Sequence, residues 1–268
     1  MMRHDVLSVC SPLKQECEDA FIVNEQAGVF GVLDGVTPLC DFRDVDGHNG
    51  AVIASRHVKA HFEGLKRVGS LTEEIGATNA LLKRRMLESG LDLAIKHEYW
   101  ATCIAAVHIQ DEWLTYGQLG DSIVIAEHRD GQVEVLTPNT LVRLNERARA
   151  VRERDRLLGV KLPDESYYAV PVHTYTYNRY LANTPEGYSV LNGMDEVPEY
   201  IRTGRVRIDR LKQVLMISDG LFFPGKSLED TYRMIAGLGL REYVDKLTLH
   251  EQEHALTPDD KTGLFVYF

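Results

Sequence analysis

Apolar and polar residues alternate along the chain in a way that predicts short strands separated by two blocks of helix. Apolar positions recur at helical spacing over 50–66, and Ser70 to Glu73 has the form of a capping box that begins a second helix reaching about residue 97. Further helices are predicted at 140–158 and 227–247. The predicted strands span 21–23, 29–33, 102–108, 113–119, 122–127, 133–136, 166–180, 214–218 and 263–268.

This order of elements favours an α+β layered domain over a parallel βαβ sheet. The short links within 102–136 predict one antiparallel meander of four strands. Residues 36–49 and 181–210 carry no clear periodicity and are interpreted as loops. The length of 268 residues suffices for a large core, and we expect a single domain over 1–268.

Several predicted strands end at an acidic residue beside glycine. Asp34-Gly35 and Asp219-Gly220 each close an apolar run, Gly120-Asp121 follows another, and Asp259 precedes the last strand. A single Asp-Gly pair is more often a tight turn, as Asp130-Gly131 between two short strands illustrates. Carboxylates at the ends of several core strands are, however, the ligand set that a hard divalent cation requires. The set therefore predicts a Mg²⁺ or Mn²⁺ site.

Composition and charge exclude some classes of function. The net charge of −10 disfavours nucleic acid as a partner, and no apolar run is long enough to cross a membrane. The four cysteines, Cys10, Cys17, Cys40 and Cys103, include no Cys-x-x-Cys pair, which argues against a thiolate zinc site and for reduced thiols. No secretory signal is evident before Pro12, so we expect a cytoplasmic protein. The oligomeric state is left open.

Six short motifs, taken in order, resemble those of the metal-dependent protein phosphatases, the type 2C serine/threonine class. They lie at 14–20 (a basic residue and then Glu-Asp), 29–35 (a strand and Asp-Gly), 102–106 (a strand of small residues), 120–122 (Gly-Asp-Ser), 215–221 (Ser-Asp-Gly) and 259–262 (Asp-Asp-Lys-Thr). Each motif is weak alone, but the ordered set spans nearly the whole chain. The sequence is similar to that family.

The resemblance implies a four-layer α-β-β-α sandwich, with two mainly antiparallel sheets flanked by helices and a two-metal centre at one end. It implies hydrolysis of phosphoserine or phosphothreonine in a phosphorylated protein by metal-activated water, with two Mg²⁺ or Mn²⁺ ions and a weak third. The implied metal residues are Asp34 (bridging), Gly35 (carbonyl), Asp219, Asp259, Glu18, Asp19 and Asp121 (third ion). A variable flap or insert is expected at about 139–210.

The chain departs from the family pattern at three places. Val36 and Thr37 follow Asp34-Gly35 where relatives have His-Gly-Gly, yet Asp46-Gly47-His48 resembles that motif further on. Either a loop separates the aspartate from the histidine or Asp46 is the ligand; the rigid strand before Asp34 favours Asp34. His48 is then a candidate general acid or a surface histidine.

The other two departures concern charge. Lys14 stands in place of the phosphate-binding arginine, as a catalytic point charge or a surface lysine. Phe223 replaces an aspartate that holds the third ion in many relatives. Two alternative functions stay open: a phosphatase for a small phosphorylated metabolite, and a phosphatase-like regulatory or binding module with weak turnover.

Overall fold

The structure is a computed structural model that describes residues 2–268 of the chain. Within that range the strands are β1 (His4–Val9), β2 (Ala20–Asn24), β3 (Val29–Gly35), β4 (Thr102–Gln110), β5 (Trp113–Leu119), β6 (Ile123–His128), β7 (Val133–Val135), β8 (Arg202–Arg207), β9 (Leu211–Ile217) and β10 (Lys261–Tyr267). The α-helices are α1 (Gly50–Gly64), α2 (Leu71–Glu88), α3 (Leu144–Leu157), α4 (Pro171–Tyr180), α5 (Val197–Tyr200), α6 (Leu228–Leu238) and α7 (Leu240–Glu253).

The strands form two five-stranded sheets, ordered β1-β10-β9-β6-β7 and β2-β3-β4-β5-β8, in which neighbouring strands are antiparallel. β3 shows how the sheets pack. Phe30 and Val32 point into the core between the sheets, while Val29 and Leu33 point into the core beneath the helices. Because successive side chains of a strand face opposite sides, a strand buried on both faces is apolar throughout. This explains the unbroken apolar run of β3.

Helices cover the outer face of each sheet. Phe62 of α1 and Leu82 of α2 pack on the β2–β5 side, and Tyr232 of α6 and Tyr243 of α7 pack on the β9–β10 side. Ser70 is the N-cap of α2, since its hydroxyl accepts a hydrogen bond from the Glu73 amide at 3.4 Å, which is one of the two bonds of the predicted capping box. The predicted α+β, four-layer α-β-β-α sandwich is confirmed. Among the described residues, no helix combines the length and the apolar character that a bilayer crossing requires.

The predicted four-strand meander over 102–136 is wrong as a single sheet. β4 and β5 form one hairpin and β6 and β7 another, and the two hairpins lie in different sheets. The chain crosses between sheets through Gly120-Asp121-Ser122, and Gly120 has the positive φ of +95° that this sharp turn requires. The short link between β5 and β6 predicted that these two strands pair, whereas the chain passes there from one sheet to the other.

The predicted strand over 166–180 is also wrong. This segment forms a short 3-10 turn at Tyr167–Ala169 and then α4, which has Pro171 at its first position. Its tyrosines had indicated a strand. The rings of Tyr168 and Tyr177 instead both pack against the Arg152 guanidinium of α3, with centroids 4.1 and 4.9 Å from it, so tertiary packing overrides propensity.

Residues 181–210, interpreted as a loop, contain α5 and the edge strand β8, whose polar residues gave no alternating signal. The second helix of the chain ends at Glu88 rather than near residue 97. The single domain over 1–268 stays a prediction, and its first residue, Met1, lies outside the described residues.

Candidate metal centre

Three aspartates lie together at one end of the sandwich, because each lies at or close after the end of a strand that reaches that end. Asp34 lies at the end of β3, Asp121 in the link between β5 and β6, and Asp219 two residues after the last residue of β9. One carboxylate oxygen of each lies within 4.8 Å of the others. Residues that are 87 and 98 positions apart in sequence thus form one cluster. Folding thus brings three of the predicted carboxylates together from distant strand ends, and their role as metal ligands stays a prediction.

Glycines allow the backbone to close tightly around this cluster. A Cβ atom on Gly220 would lie 1.9 Å from the Asp260 carbonyl oxygen, so no other residue fits without displacing the chain. Gly35 has a similar constraint, with a Cβ position 2.5 Å from the Glu18 carbonyl oxygen and 2.8 Å from that of Ala51. The glycines after Asp34 and Asp219 therefore serve close packing, which a turn dipeptide alone would not require.

The cluster is an accumulation of negative charge in a poorly solvated place. Burial, followed by repulsion from Asp219 and Asp19, raises the pKa of Asp34 well above its usual range. Burial and the Asp219 charge raise the pKa of Asp121 to about 7, and burial and the Asp259 charge raise the pKa of Asp219. Within the described chain, no lysine, arginine or histidine pairs with Asp34, Asp121 or Asp219. The fold gathers like charges here without neutralising them.

A second cluster of acidic residues lies beside the three aspartates, and Lys14 contacts each of its members. The Lys14 ammonium lies 2.7 Å from Asp259 Oδ1, 2.9 Å from Glu18 Oε2 and 3.1 Å from Asp260 Oδ2. Burial alone would lower the pKa of Lys14, but these carboxylates raise it well above its usual value. Lys14 and Asp259 line the same cavity as the three aspartates.

Asp19 is held at the back of the site. Its Oδ2 accepts a hydrogen bond of 2.8 Å from the Ser218 hydroxyl, the residue directly before Asp219. Burial raises the pKa of Asp19 to about 7, against the lowering effect of the Ser218 and Thr262 hydroxyls. Ser218 thus supports the acidic group rather than acting as an exposed nucleophile.

Two residues that sequence reasoning missed fix the carboxylate of Glu18. Asn49 Nδ2 donates to Glu18 Oε1 at 2.7 Å, and Thr37 Oγ1 donates to Oε2 at 2.8 Å. The Asn49 side-chain oxygen also caps α1 by accepting from the Val52 amide. An N-cap signal could have identified Asn49 as the start of α1, but its contact with Glu18 depends on the fold.

Asp46 and His48 lie apart from this arrangement. Asp46 is in an exposed turn, and neither residue is among the described residues that line the cavity. His48 Nε2 accepts a hydrogen bond of 2.9 Å from Arg56, so Nδ1 donates to Glu16 at 2.7 Å. His48 therefore belongs to a half-buried polar group on the loop before α1. The general-acid role of His48 stays a prediction.

A cavity of about 670 Å³ opens above the acidic floor. The segment 139–210 supplies one wall of it, with Arg143, Tyr175, Arg179 and Tyr188 among the lining residues. Arg179 is anchored by a 2.7 Å hydrogen bond from its guanidinium to the Thr37 carbonyl, which lies just beyond Asp34-Gly35. The cavity therefore has an acidic base and a wall that carries two cationic side chains.

Comparison with known proteins identifies the family. Residues 13–257 match the family model for Protein phosphatase 2C, and the chain belongs to this family of metal-dependent serine/threonine phosphatases. The protein is accordingly a phosphoprotein phosphatase that depends on Mg²⁺ or Mn²⁺. No curated protein sequence matches the chain.

Solved structures of bacterial phosphatases share the fold. The serine/threonine phosphatase Stp1 from Staphylococcus aureus is 16% identical with a TM-score of 0.63, over 100% of this chain and 95% of that one. The Mycobacterium tuberculosis serine/threonine phosphatase PstP/Ppp is 18% identical with a TM-score of 0.62, over 100% and 98%. The catalytic domain of PstP in complex with two manganese ions is 17% identical with a TM-score of 0.58, over 99% and 97%.

Proposed function

We propose that Asp34, Asp219 and Asp259, with the Gly35 carbonyl, hold the catalytic pair of Mg²⁺ or Mn²⁺ ions, and that Asp34 bridges them. Glu18, with Asp19 behind it, completes the second position. Asp121 serves a weaker third ion. The observation that carries this proposal is the convergence of the Asp34, Asp121 and Asp219 oxygens within 4.8 Å.

The donor set fits hard divalent cations. Carboxylates and a backbone carbonyl are the ligands that Mg²⁺ and Mn²⁺ prefer, whereas zinc selects nitrogen and sulfur. The raised pKa values of Asp34, Asp121 and Asp219 reflect burial and mutual repulsion, which bound cations would offset. The matched PstP structure contains two manganese ions, which supports the same stoichiometry for this chain.

The residues of the chain have separable tasks in this mechanism. When bound, paired divalent cations lower the pKa of a water and offset charge on phosphoryl oxygens. Asn49 and Thr37 hold Glu18 in one orientation, and Ser218 does the same for Asp19. The Lys14 ammonium fixes Glu18 relative to Asp259. The role of Lys14 is therefore to position these carboxylates rather than to bind the substrate.

The substrate we propose is phosphoserine or phosphothreonine in a protein. Arg143 and Arg179 lie on the wall that faces the acidic floor, where cationic side chains favour a phosphate group. Lys14 is occupied by three carboxylates and Arg143 pairs with Glu146, so Arg179 is the cation among the described cavity residues that no carboxylate pairs with. The segment 139–210 then acts as the variable flap that contacts the substrate.

We further propose a cytoplasmic location. All four cysteines are free, and two of them, Cys10 and Cys17, lie close together as thiols. Reduced neighbouring thiols are typical of a reducing compartment.

Paired variants test the assignment of the bridging ligand. Hydrolysis of p-nitrophenyl phosphate should require Mn²⁺ and stop with EDTA. Asp34→Asn should lower kcat by about 10²-fold or more, because it removes a group that acts on both ions. Asp46→Asn, the matched exposed control, should keep wild-type activity. Equal losses in the two variants, or activity that survives chelation, would contradict the proposal.

A further inference from the structure

Two cysteine sulfurs and a buried carboxylate converge outside the metal centre described above. The Sγ atoms of Cys10 and Cys17 and a carboxylate oxygen of Asp260 all lie within 4.8 Å of one another. Cys10 is exposed, Cys17 is half-buried, and Asp260 is only 2% exposed. The sequence had argued against a thiolate site because it lacks a Cys-x-x-Cys pair, but the fold brings together cysteines seven residues apart.

The convergence has an identifiable cause in the backbone. Asp260 Oδ1 accepts a hydrogen bond of 2.7 Å from the amide of Ser11, and Oδ2 accepts one of 2.8 Å from the amide of Glu18. These are the residues that directly follow Cys10 and Cys17. One buried carboxylate therefore fixes both ends of the connection between β1 and β2, and each cysteine directly precedes one of the two amides that it binds. The arrangement is built into the fold rather than dependent on mobile side chains.

We propose that Cys10, Cys17 and Asp260 form a binding site for a soft divalent cation, Zn²⁺ or Cd²⁺. Two thiolates and a carboxylate oxygen are a zinc-type ligand set, which leaves a fourth tetrahedral position for water. Asp260 Oδ1 accepts one protein hydrogen bond and keeps a lone pair for coordination.

Lys14, which also pairs with Glu18 and Asp259, offsets part of the charge of the site. Two thiolates, one carboxylate and a divalent cation carry a net charge of −1, and the Lys14 ammonium lies 3.1 Å from Asp260 Oδ2. The site also differs in chemistry from the all-oxygen cluster of Asp34, Asp121 and Asp219, which favours hard cations. The two sites should therefore select different metals in the same chain.

A Cd²⁺ titration of the full chain tests the proposal, with Mn²⁺ present in excess to occupy the oxygen-lined centre. Thiolate-to-cadmium charge transfer gives an ultraviolet absorption band that carboxylate ligands do not give. We expect this band to saturate at about one cation per chain. Cys10→Ser and Cys17→Ser should each abolish it at the same Cd²⁺ concentration, whereas Cys40→Ser, a half-buried cysteine elsewhere, should keep it.

A second measurement covers the chance that one variant folds poorly. Zn²⁺ should protect two of the four thiols of the wild-type chain from an aromatic disulfide reagent, and mass spectrometry should identify them as Cys10 and Cys17. Absence of the band from the wild-type chain would overturn the proposal. Persistence of the band in both serine variants, or protection of Cys40 or Cys103 instead, would overturn it as well. None of these readouts depends on phosphatase activity.

Discussion

Replacing Asp121 by asparagine should stabilise the metal-free protein, and it should do so only at pH values where the aspartate is ionised. Asp121 is 7% exposed, and burial together with the Asp219 charge raises its pKa from 3.8 to about 7. A carboxyl group whose pKa is raised by folding holds its proton more tightly in the folded state. Its ionisation therefore destabilises the fold, and the destabilisation grows as pH rises from about 4 to about 7.

The magnitude follows from the shift in pKa. At 1.36 kcal/mol per unit, a shift of about three units corresponds to about 4 kcal/mol above pH 7 as an upper bound. Asp34 and Asp219 stay in place in this variant, and their own ionisation readjusts. We therefore expect the stabilisation by Asp121→Asn to increase by about 2–3 kcal/mol between about pH 5 and about pH 8. For a chain of this length each kcal/mol changes Tm by about 2–4 °C. Asp121→Asn should thus gain roughly 4–12 °C in Tm relative to wild type on going from the lower to the higher pH.

Thermal unfolding in EDTA, followed by circular dichroism at both pH values, measures this gain. The difference between the two pH values is the quantity of interest, because any packing cost of the asparagine is present at both. Asp46→Asn, an exposed aspartate, is the matched control and should show no pH-dependent gain. If Asp121→Asn changed Tm equally at both pH values, the charge argument would be refuted.

Three further predictions concern packing, support of the cavity wall and the loop histidine. Gly220→Ala should lower the free energy of unfolding, measured in urea melts, by about 1–3 kcal/mol, since its Cβ would lie 1.9 Å from the Asp260 carbonyl oxygen. Gly237→Ala on α6, where space is open, should not destabilise the protein. Arg152→Lys should speed proteolysis within 139–210, because lysine cannot reproduce the packing of the planar guanidinium against two tyrosine rings. Arg149→Lys, at an exposed position, should not. His48→Gln should leave kcat within about threefold of wild type, and a loss of about 10²-fold would establish the general-acid role instead.

Much of the site was accessible from sequence because its ligands follow local rules. A core strand ends where polar residues begin, so Asp34 and Asp219 were identifiable at the ends of β3 and β9. Ordered motifs then placed Asp121 with them, and the structure brings these three together. The same local rules located the N-cap of α2 at Ser70.

Contacts between distant segments were not accessible in this way. Asn49 and Thr37 form hydrogen bonds with Glu18, and Glu16 and Arg56 form hydrogen bonds with His48. The periodicity of the sequence does not indicate which side chains form these pairs. The seven-residue spacing of Cys10 and Cys17 likewise gave no sign that Asp260 fixes both of their neighbouring amides.

The amino-acid sequence determined most of the segments that become strands and helices, and which carboxylates stand at strand ends, because hydrophobic period and capping act over a few residues. Tertiary structure decided which sheet each strand joins, that the tyrosine-rich segment after residue 166 is helical, and which charges become neighbours. Those outcomes depend on packing and on the electrostatic cost of burying charge. Both are set by groups that meet only once the chain has folded.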